Sequence, residues 1–467
     1  MVINAGSAVA WPQDFVARME AWLGDEAQAF LAALAKRDQG LRLNPRRGPL
    51  EALRAQLPWE VEPVPWCPEG LWLQEDAAIG THPYHTAGVY YGQDPSAMAA
   101  AVLLDPQPGE WVLDLAAAPG GKATHIGARM SGQGVLVANE ISRSRATVLA
   151  MNLERMGVTN ALVTNAGADQ LAQAWRGLFD AMLIDAPCSG EGMFSRDRRA
   201  LKEWSLAAVA EYAWRQQNIL EQGAPLVRPG GRILYGTCTY APEENEGVIA
   251  KFLDTHPDFA LLDLPDLPHL ERGHPEWIGA PPDLVRTGRF WPHKSPGHGH
   301  FYALLRRTGD PPDDLPEQWA GRDIPGRVLR LYEKTLGEAL TFEPPEAGLV
   351  LTGDDHCYIT PMAPPLWSRV PVLRPGWWVA TQRHGKIYPD HALAMALRIE
   401  DVAFHIRLAP DDPHVSRYLD GSAWLSPGEP GFVLTTVDGF PLGWSKREGD
   451  RLRSRYPVNL RRQRASS

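Results

Sequence analysis

Residues 111–130 read WVLDLAAAPGGKATHIGARM, and no other stretch constrains the fold of this chain as strongly. Trp111 to Leu115 are apolar and β-prone, with Gly109 just before them, which is the pattern of a short buried strand. Ala116, Ala117 and Ala118 then keep the side chains small. Pro119 stiffens the turn, and Gly120 and Gly121 let the backbone come close to a ligand. A helix is expected from Lys122. Strand, small-residue loop and helix N-terminus together make the cradle of a nucleotide-like ligand in a doubly wound sheet. A P-loop needs Gly at 116 and Ser or Thr at 123, where this chain has Ala116 and Ala123. The dinucleotide fingerprint fails on the same run of alanines. What remains is a loop for S-adenosylmethionine (SAM), which has no pyrophosphate to hold, or a plain βα turn.

The pattern after residue 111 alternates strand and helix with short connections. Strands are expected at 111–116, 134–140, 161–165, 179–186, 231–238, 259–263 and 300–306. Helices are expected at 121–130, 143–156, 205–227 and 243–255. Such alternation predicts a mostly parallel sheet of seven strands, covered on both faces, with its ligand at the carboxyl ends of the strands. Upstream, residues 12–37 carry apolar positions at helical spacing, and 41–75 suggest short strands around a helix. Asp94 followed by Pro95 predicts the start of a helix over 95–104.

At 467 residues the chain should divide into two or three domains. We expect an N-terminal α+β domain over 1–78, an α/β domain over 79–307, a Pro- and Asp-rich linker over 308–327, and a further region over 328–467. In that last region Asp438-Gly439 between apolar runs marks a hairpin. The tail carries Lys446, Arg447, Arg451, Arg453, Arg455, Arg461, Arg462 and Arg464 against only Glu448 and Asp450, a cluster that suits phosphate backbones or a solvated terminus. The net charge of −10 argues against nucleic acid as a partner except through such local patches. Four cysteines without C-x-x-C spacing indicate neither a zinc site nor a disulfide framework. No signal peptide and no apolar run of membrane-spanning length is read, so a cytoplasmic protein is expected.

Glu140 ends the second expected strand, where an acid can accept both ribose hydroxyls of an adenosine cofactor. Asp169, after the third strand, could accept from an adenine amino group or cap a helix. The fourth strand ends in DAPCSGEG and the fifth in TCTYAPEENE. Asp185, Cys188 and Cys238 therefore reach one sheet edge, on strands that can be neighbours roughly 5 Å apart. Buried cysteines are usually inert, but two of four at corresponding strand ends beside a cofactor loop suggest chemistry. C5 of cytosine is a poor nucleophile. A thiolate adding to C6 makes an enamine whose C5 can take a methyl group, and an acid at N3 stabilises that adduct.

YGQDPSAM, DLAAAPGGKATH, DAPCSGEGMF and GTCTYAPEENE, in this order, resemble the RNA (cytosine-5)-methyltransferases of the Sun/Nop family, on a branch acting on 16S rRNA. The resemblance covers about 80–306, and VDGFPLGW with RYPVNLR is similar to that branch's PUA-like RNA-binding extension. It implies a SAM-dependent Rossmann-like fold, with Cys238 as nucleophile, Cys188 assisting release and Asp185 as the N3 acid. It implies SAM contacts at Ala116 to Lys122, Glu140, Asp169 and Asp185. The implied partner is RNA, 16S rRNA or the 30S subunit, bound by a monomer. A DNA cytosine-5 methyltransferase using Cys188, a non-catalytic rRNA-binding factor and a nicotinamide oxidoreductase are the competing functions.

Overall fold

The computed structural model describes residues 2–3, 10–36, 38–311 and 316–461. At its centre is a ten-stranded sheet. Its order is Glu271–Arg272, Gly288–Phe290, His300–Arg307, Val227–Thr237, Phe179–Asp185, Trp111–Asp114, Val135–Asn139, Ala161–Thr164 and Val372–Arg374, with Phe259–Leu261 pairing on His300–Arg307. The five strands from Val227–Thr237 to Ala161–Thr164 run parallel and are apolar almost throughout, as strands covered on both faces must be. All seven expected strands are present. The sheet is larger and more mixed than expected because three strands of two or three residues join its edges, too short to show a period. One of them, Val372–Arg374, lies beyond residue 327 in the chain and pairs antiparallel with Ala161–Thr164. The C-terminal region therefore completes the central sheet.

The helix Pro95–Leu104 begins as its sequence dictates, with the Asp94 side chain accepting from the Ser96 N–H and Pro95 in the first turn. It lies against the sheet, and Tyr302 on the last long strand donates to the Ser96 carbonyl at 2.9 Å. The helices Gln13–Leu23 and Ala27–Leu34 bury Phe15, Met19, Phe30 and Leu34 against Phe194, Trp204, Tyr240 and Trp291, beside the fourth and fifth strand ends. A small antiparallel sheet, Val61–Pro63, Gly70–Leu73, Gln39–Leu43 and Tyr90–Gly92, follows. Its buried Arg42 donates from Nη2 to Thr124 Oγ1 at 2.7 Å and to the Gly121 carbonyl at 3.2 Å, and so fixes the helix that follows the loop.

Beyond residue 316 the chain forms two further sheets. The Gly431–Val437 and Phe440–Glu448 strands meet at Asp438 and Gly439, both at positive φ, as the sequence predicts for a tight hairpin. Leu408, Tyr418, Val433 and Leu442 share one core with Leu41, Leu71 and Tyr90 of the N-terminal sheet. Residues 318–323 are tied down, with Gln318 accepting from the Gly134 N–H at 3.2 Å and Trp319 N–H donating to the Pro361 carbonyl at 2.8 Å. Residues 312–315 of the expected linker lie outside the described residues, as do Arg462 and Arg464 of the basic tail. Arg447 belongs to the interior, donating to the Ser426 and Glu429 carbonyls. Arg451, Arg453 and Arg455 alternate with buried residues and are exposed. Among the described residues no helix is long and apolar enough to cross a membrane.

Candidate active site

A cavity of about 990 Å³ opens at the carboxyl ends of the parallel strands. It runs from Glu140 and Ala166, past Ala116, Ala118 and Lys122, to Asp185, Cys188, Cys238 and His300. Only part of the loop faces it. Ala117 is turned into the core, with its N–H donating to the Asn139 carbonyl at 2.8 Å. Pro119 is exposed on the far side, its carbonyl accepting from Asn152. The two glycines serve the protein before any ligand. A Cβ at Gly120 would sit 3.3 Å from Leu149 Cδ1, and one at Gly121 3.3 Å from Tyr91 Cε1. Gly120 also holds φ at +116°, which side chains disfavour. Both glycines thus let helix and loop close on their own neighbours.

Glu140 is only 2% exposed, yet it lines the cavity. Its Oε1 accepts from the Ser142 N–H at 2.9 Å, and its Oε2 lies 3.2 Å from Arg145 Nη1. Arg145 also donates to the Ala118 carbonyl at 2.8 Å, coupling the acid to the loop. The Asn139 side chain staples this end of the sheet, donating to the Leu115 and Ala166 carbonyls, both at 3.0 Å. Asp169 does not line the cavity. It is exposed in the first turn of the helix Ala168–Ala174, and the preceding Gly167 and Ala168 are the residues that face inward. Each helical residue turns about 100°, so an offset of one or two residues swings a side chain outward.

At the other end, Phe179–Asp185 and Val227–Thr237 pair in parallel with Asp185 opposite Gly236. Both loops leave the sheet side by side, and Cys188 Sγ lies 3.2 Å from Cys238 Sγ. The hydrogen bond to Cys238 and burial hold the Cys188 thiol well above its ordinary range, and either sulfur can donate to the other. Asp185 Oδ2 accepts from Lys122 Nζ at 2.7 Å. Beneath the thiols, Glu244 accepts from the Ser189 N–H at 2.9 Å, from Gln216 at 2.8 Å and from Thr239 Oγ1 at 3.3 Å. Burial, and then Glu191, push the Glu244 carboxyl up to about 7. Sequence reasoning missed Glu244, Asn139 and Arg145. Only Glu244 had a signal, as the buried second acid of PEENE.

Three histidines close in sequence, at 293, 298 and 300, have different immediate neighbours. His293 lies 3.2 Å from Glu26, His298 3.9 Å from Asp94, and His300 lines the cavity. The aromatic stretch before Pro95 packs internally: Tyr84 donates to Asp438 at 2.7 Å and Tyr90 to the Ile79 carbonyl at 2.6 Å.

Four family descriptions divide the chain among them. Residues 101–306 match 16S rRNA methyltransferase RsmB/F, 11–95 the N-terminal domain of RsmF, 335–397 its first C-terminal domain, and 406–462 its PUA domain. The ribosomal RNA small subunit methyltransferase F of Klebsiella pneumoniae is 33% identical over 483 residues, covering 98% of either chain. The chain belongs to the RsmF family. The Escherichia coli K12 relative of the same name is 32% identical, covering 87% of this chain and 86% of its own. A methyltransferase homolog from Pyrococcus horikoshii superposes with a TM-score of 0.56 at 30% identity, over 64% of this chain and 96% of its own. NSun6 from Pyrococcus horikoshii, solved with SFG, shares the fold at 22% identity, TM-score 0.56, over 64% of this chain and 99% of its own.

As an RsmF-family protein it is a methyltransferase that uses SAM, and the residues present fit that donor. Asp114 is fully buried one residue before the cavity wall, with neither carboxyl oxygen partnered among the described residues. Burial, and then Asp185, push it up to about 8. A buried acid in that state suits a cationic ligand arriving next to it.

Proposed function

We propose that this chain methylates C5 of a cytosine in 16S rRNA through a covalent adduct on Cys238. The observation that carries this reading is the pair of thiols 3.2 Å apart at the ends of adjacent parallel strands, next to Asp185. Cys238 gives up its proton, with the Cys188 S–H next to it as a donor to the sulfur. That thiolate adds to C6 of the base. Charge then builds at N3, which takes up the proton that Cys238 has given up, and the Asp185 carboxylate, held by Lys122, accepts from the new N3–H. SAM supplies the electrophilic methyl group, with Glu140, Lys122 and the backbone at Ala116 and Ala118 as its holding residues. The C5 proton then leaves to water as the Cys238–C6 bond breaks, Cys188 assists release as an S–H donor to the departing sulfur, and the N3 proton returns to restore the Cys238 thiol.

RNA is held away from the thiols by two arginine groups. Arg451, Arg453 and Arg455 project from one face of the last strand, with Lys446 opposite Arg453. Arg46, Arg47 and Arg155 gather where the N-terminal sheet meets the catalytic region. Among the described residues none of the three has a carboxylate within ion-pair distance. Burial, and then neighbouring arginines, lower Arg47 to about 9, so like charges crowd here. A negative net charge is thereby reconciled with a polyanionic substrate. The protein acts as a single chain in the cytoplasm on rRNA or the 30S subunit. Incubation with labelled SAM and 16S rRNA, 30S subunits or DNA tests the assignment. Label on the RNA as 5-methylcytosine is expected, and label on DNA alone would favour the DNA-type enzyme.

A further inference from the structure

His300 begins the antiparallel strand beside Cys238, with Phe301 paired to Thr237. Its ring is buried, stacks on Tyr302 with centroids 5.5 Å apart, and faces the cavity next to Asp185. A chain of hydrogen bonds behind it fixes which ring nitrogen carries the proton. The Asp94 carboxylate accepts from the Ser96 N–H at 3.0 Å and from the His298 N–H at 3.1 Å, and it also takes the Ser96 hydroxyl. Burial alone would raise Asp94, but His298 and Ser96 outweigh it and hold the carboxyl below its ordinary range. Asp94 is therefore ionised and can only accept. The Ser96 hydroxyl must donate to it, so Ser96 Oγ is left as the acceptor for His300 Nδ1, 3.1 Å away. Burial, and then Lys122, lower His300 to about 4, so the ring is neutral. With its proton on Nδ1, a neutral imidazole presents a bare lone pair at Nε2.

That lone pair faces another acceptor. His300 Nε2 lies 4.0 Å from Asp185 Oδ1, while Lys122 serves Oδ2. The gap is too long for a direct hydrogen bond. It suits a donor placed between the two, roughly 2.9 Å from each. We propose that His300 is a specificity residue whose Nε2 accepts a hydrogen from the 4-amino group of the target cytosine, beside Asp185 at N3. The assignment rests on the cytosine methylation argued above and extends it to how the base is chosen. Uracil would set its O4 carbonyl against the same lone pair, and a site built to bond a donor rejects an analogue that lacks it.

The test uses the full-length protein and RNA whose modified position, located by bisulfite sequencing, carries either cytosine or pyrimidin-2-one, which has no 4-substituent. Single-turnover methyl transfer from labelled SAM is measured on both. His300→Phe should slow transfer to cytosine about 10- to 100-fold and leave transfer to pyrimidin-2-one within about twofold. His300→Gln, which restores an acceptor oxygen, should recover part of the cytosine rate. Should the Phe variant fail to fold, Ser96→Ala keeps the test: by releasing the Nδ1 proton it should lower the cytosine rate about three- to tenfold and spare pyrimidin-2-one. Equal losses on the two bases would overturn the assignment. Wild-type protein that places no methyl on cytosine C5 would instead overturn the proposed function.

Discussion

Cys188 and Cys238, fifty positions apart in sequence, bring their sulfurs to 3.2 Å because the strands they follow are parallel neighbours. The pairing is unequal. Burial and the contact with Cys238 hold the Cys188 thiol well above its ordinary range, which suits it to the donor's side of the pair. Cys188→Ala removes that sulfur partner and should slow attack by Cys238 on an electrophile several-fold, the order of one hydrogen bond. Iodoacetamide alkylation followed by mass spectrometry from pH 6 to 10 reads this directly. Wild-type protein should alkylate first at Cys238, and more slowly at neutral pH once Cys188 is gone.

Glu140→Ala should weaken SAM binding by about 1–3 kcal/mol while leaving the fold intact. The buried carboxylate is removed from the cavity, and Arg145 is left without the partner that couples it to Ala118. Isothermal calorimetry measures the affinity. Asp169→Ala, exposed and outside the cavity, should bind SAM as the wild type does.

The pH dependence of stability follows from Glu244 and Asp114. Both carboxyls are raised in the folded state, to about 7 and about 8. A group raised on folding gives stability that is full below its unfolded pKa, about 4, and is lost as pH rises through the folded value. Melting temperature should therefore fall between pH 5 and pH 8. Glu244→Gln cannot ionise and should flatten that fall, as read by differential scanning calorimetry.

RNA affinity should depend on the exposed arginines and not on the buried one. Replacing Arg451, Arg453 and Arg455 together by Ala should weaken binding across sequences. The salt slope should drop by about 0.7–0.9 for each phosphate that is no longer neutralised. SAM affinity should not change. Deleting residues 328–467 would be a poor substitute for this experiment. It would strip Val372–Arg374 from the catalytic sheet and uncover the core shared with Leu41 and Leu71.

Much of this architecture is legible in the sequence. Buried parallel strands announce themselves as apolar runs, and acids or thiols at their carboxyl ends stand out against that background, as Glu140, Asp185, Cys188 and Cys238 do. Asp169 misleads because the helix phase after a short loop decides which residue faces inward, and a residue or two of uncertainty reverses it. His300 does not stand out because antiparallel register across the sheet edge has no signature in a single sequence. Glu244 and Asn139 act through hydrogen bonds beneath the site, which spacing alone does not reveal. The partnership of the C-terminal region with the catalytic sheet is hidden in a three-residue strand.

If Cys238 attacks the base and Cys188 serves release, the two alanine variants must behave differently. Cys238→Ala and Cys188→Ala are each incubated with SAM and 16S rRNA, and the products are run on denaturing gels with and without ribonuclease. Cys238→Ala should neither turn over nor form a covalent complex. Cys188→Ala should accumulate a slowly migrating, ribonuclease-sensitive protein–RNA band. Trapping in Cys238→Ala with none in Cys188→Ala would contradict the account and reverse the two roles.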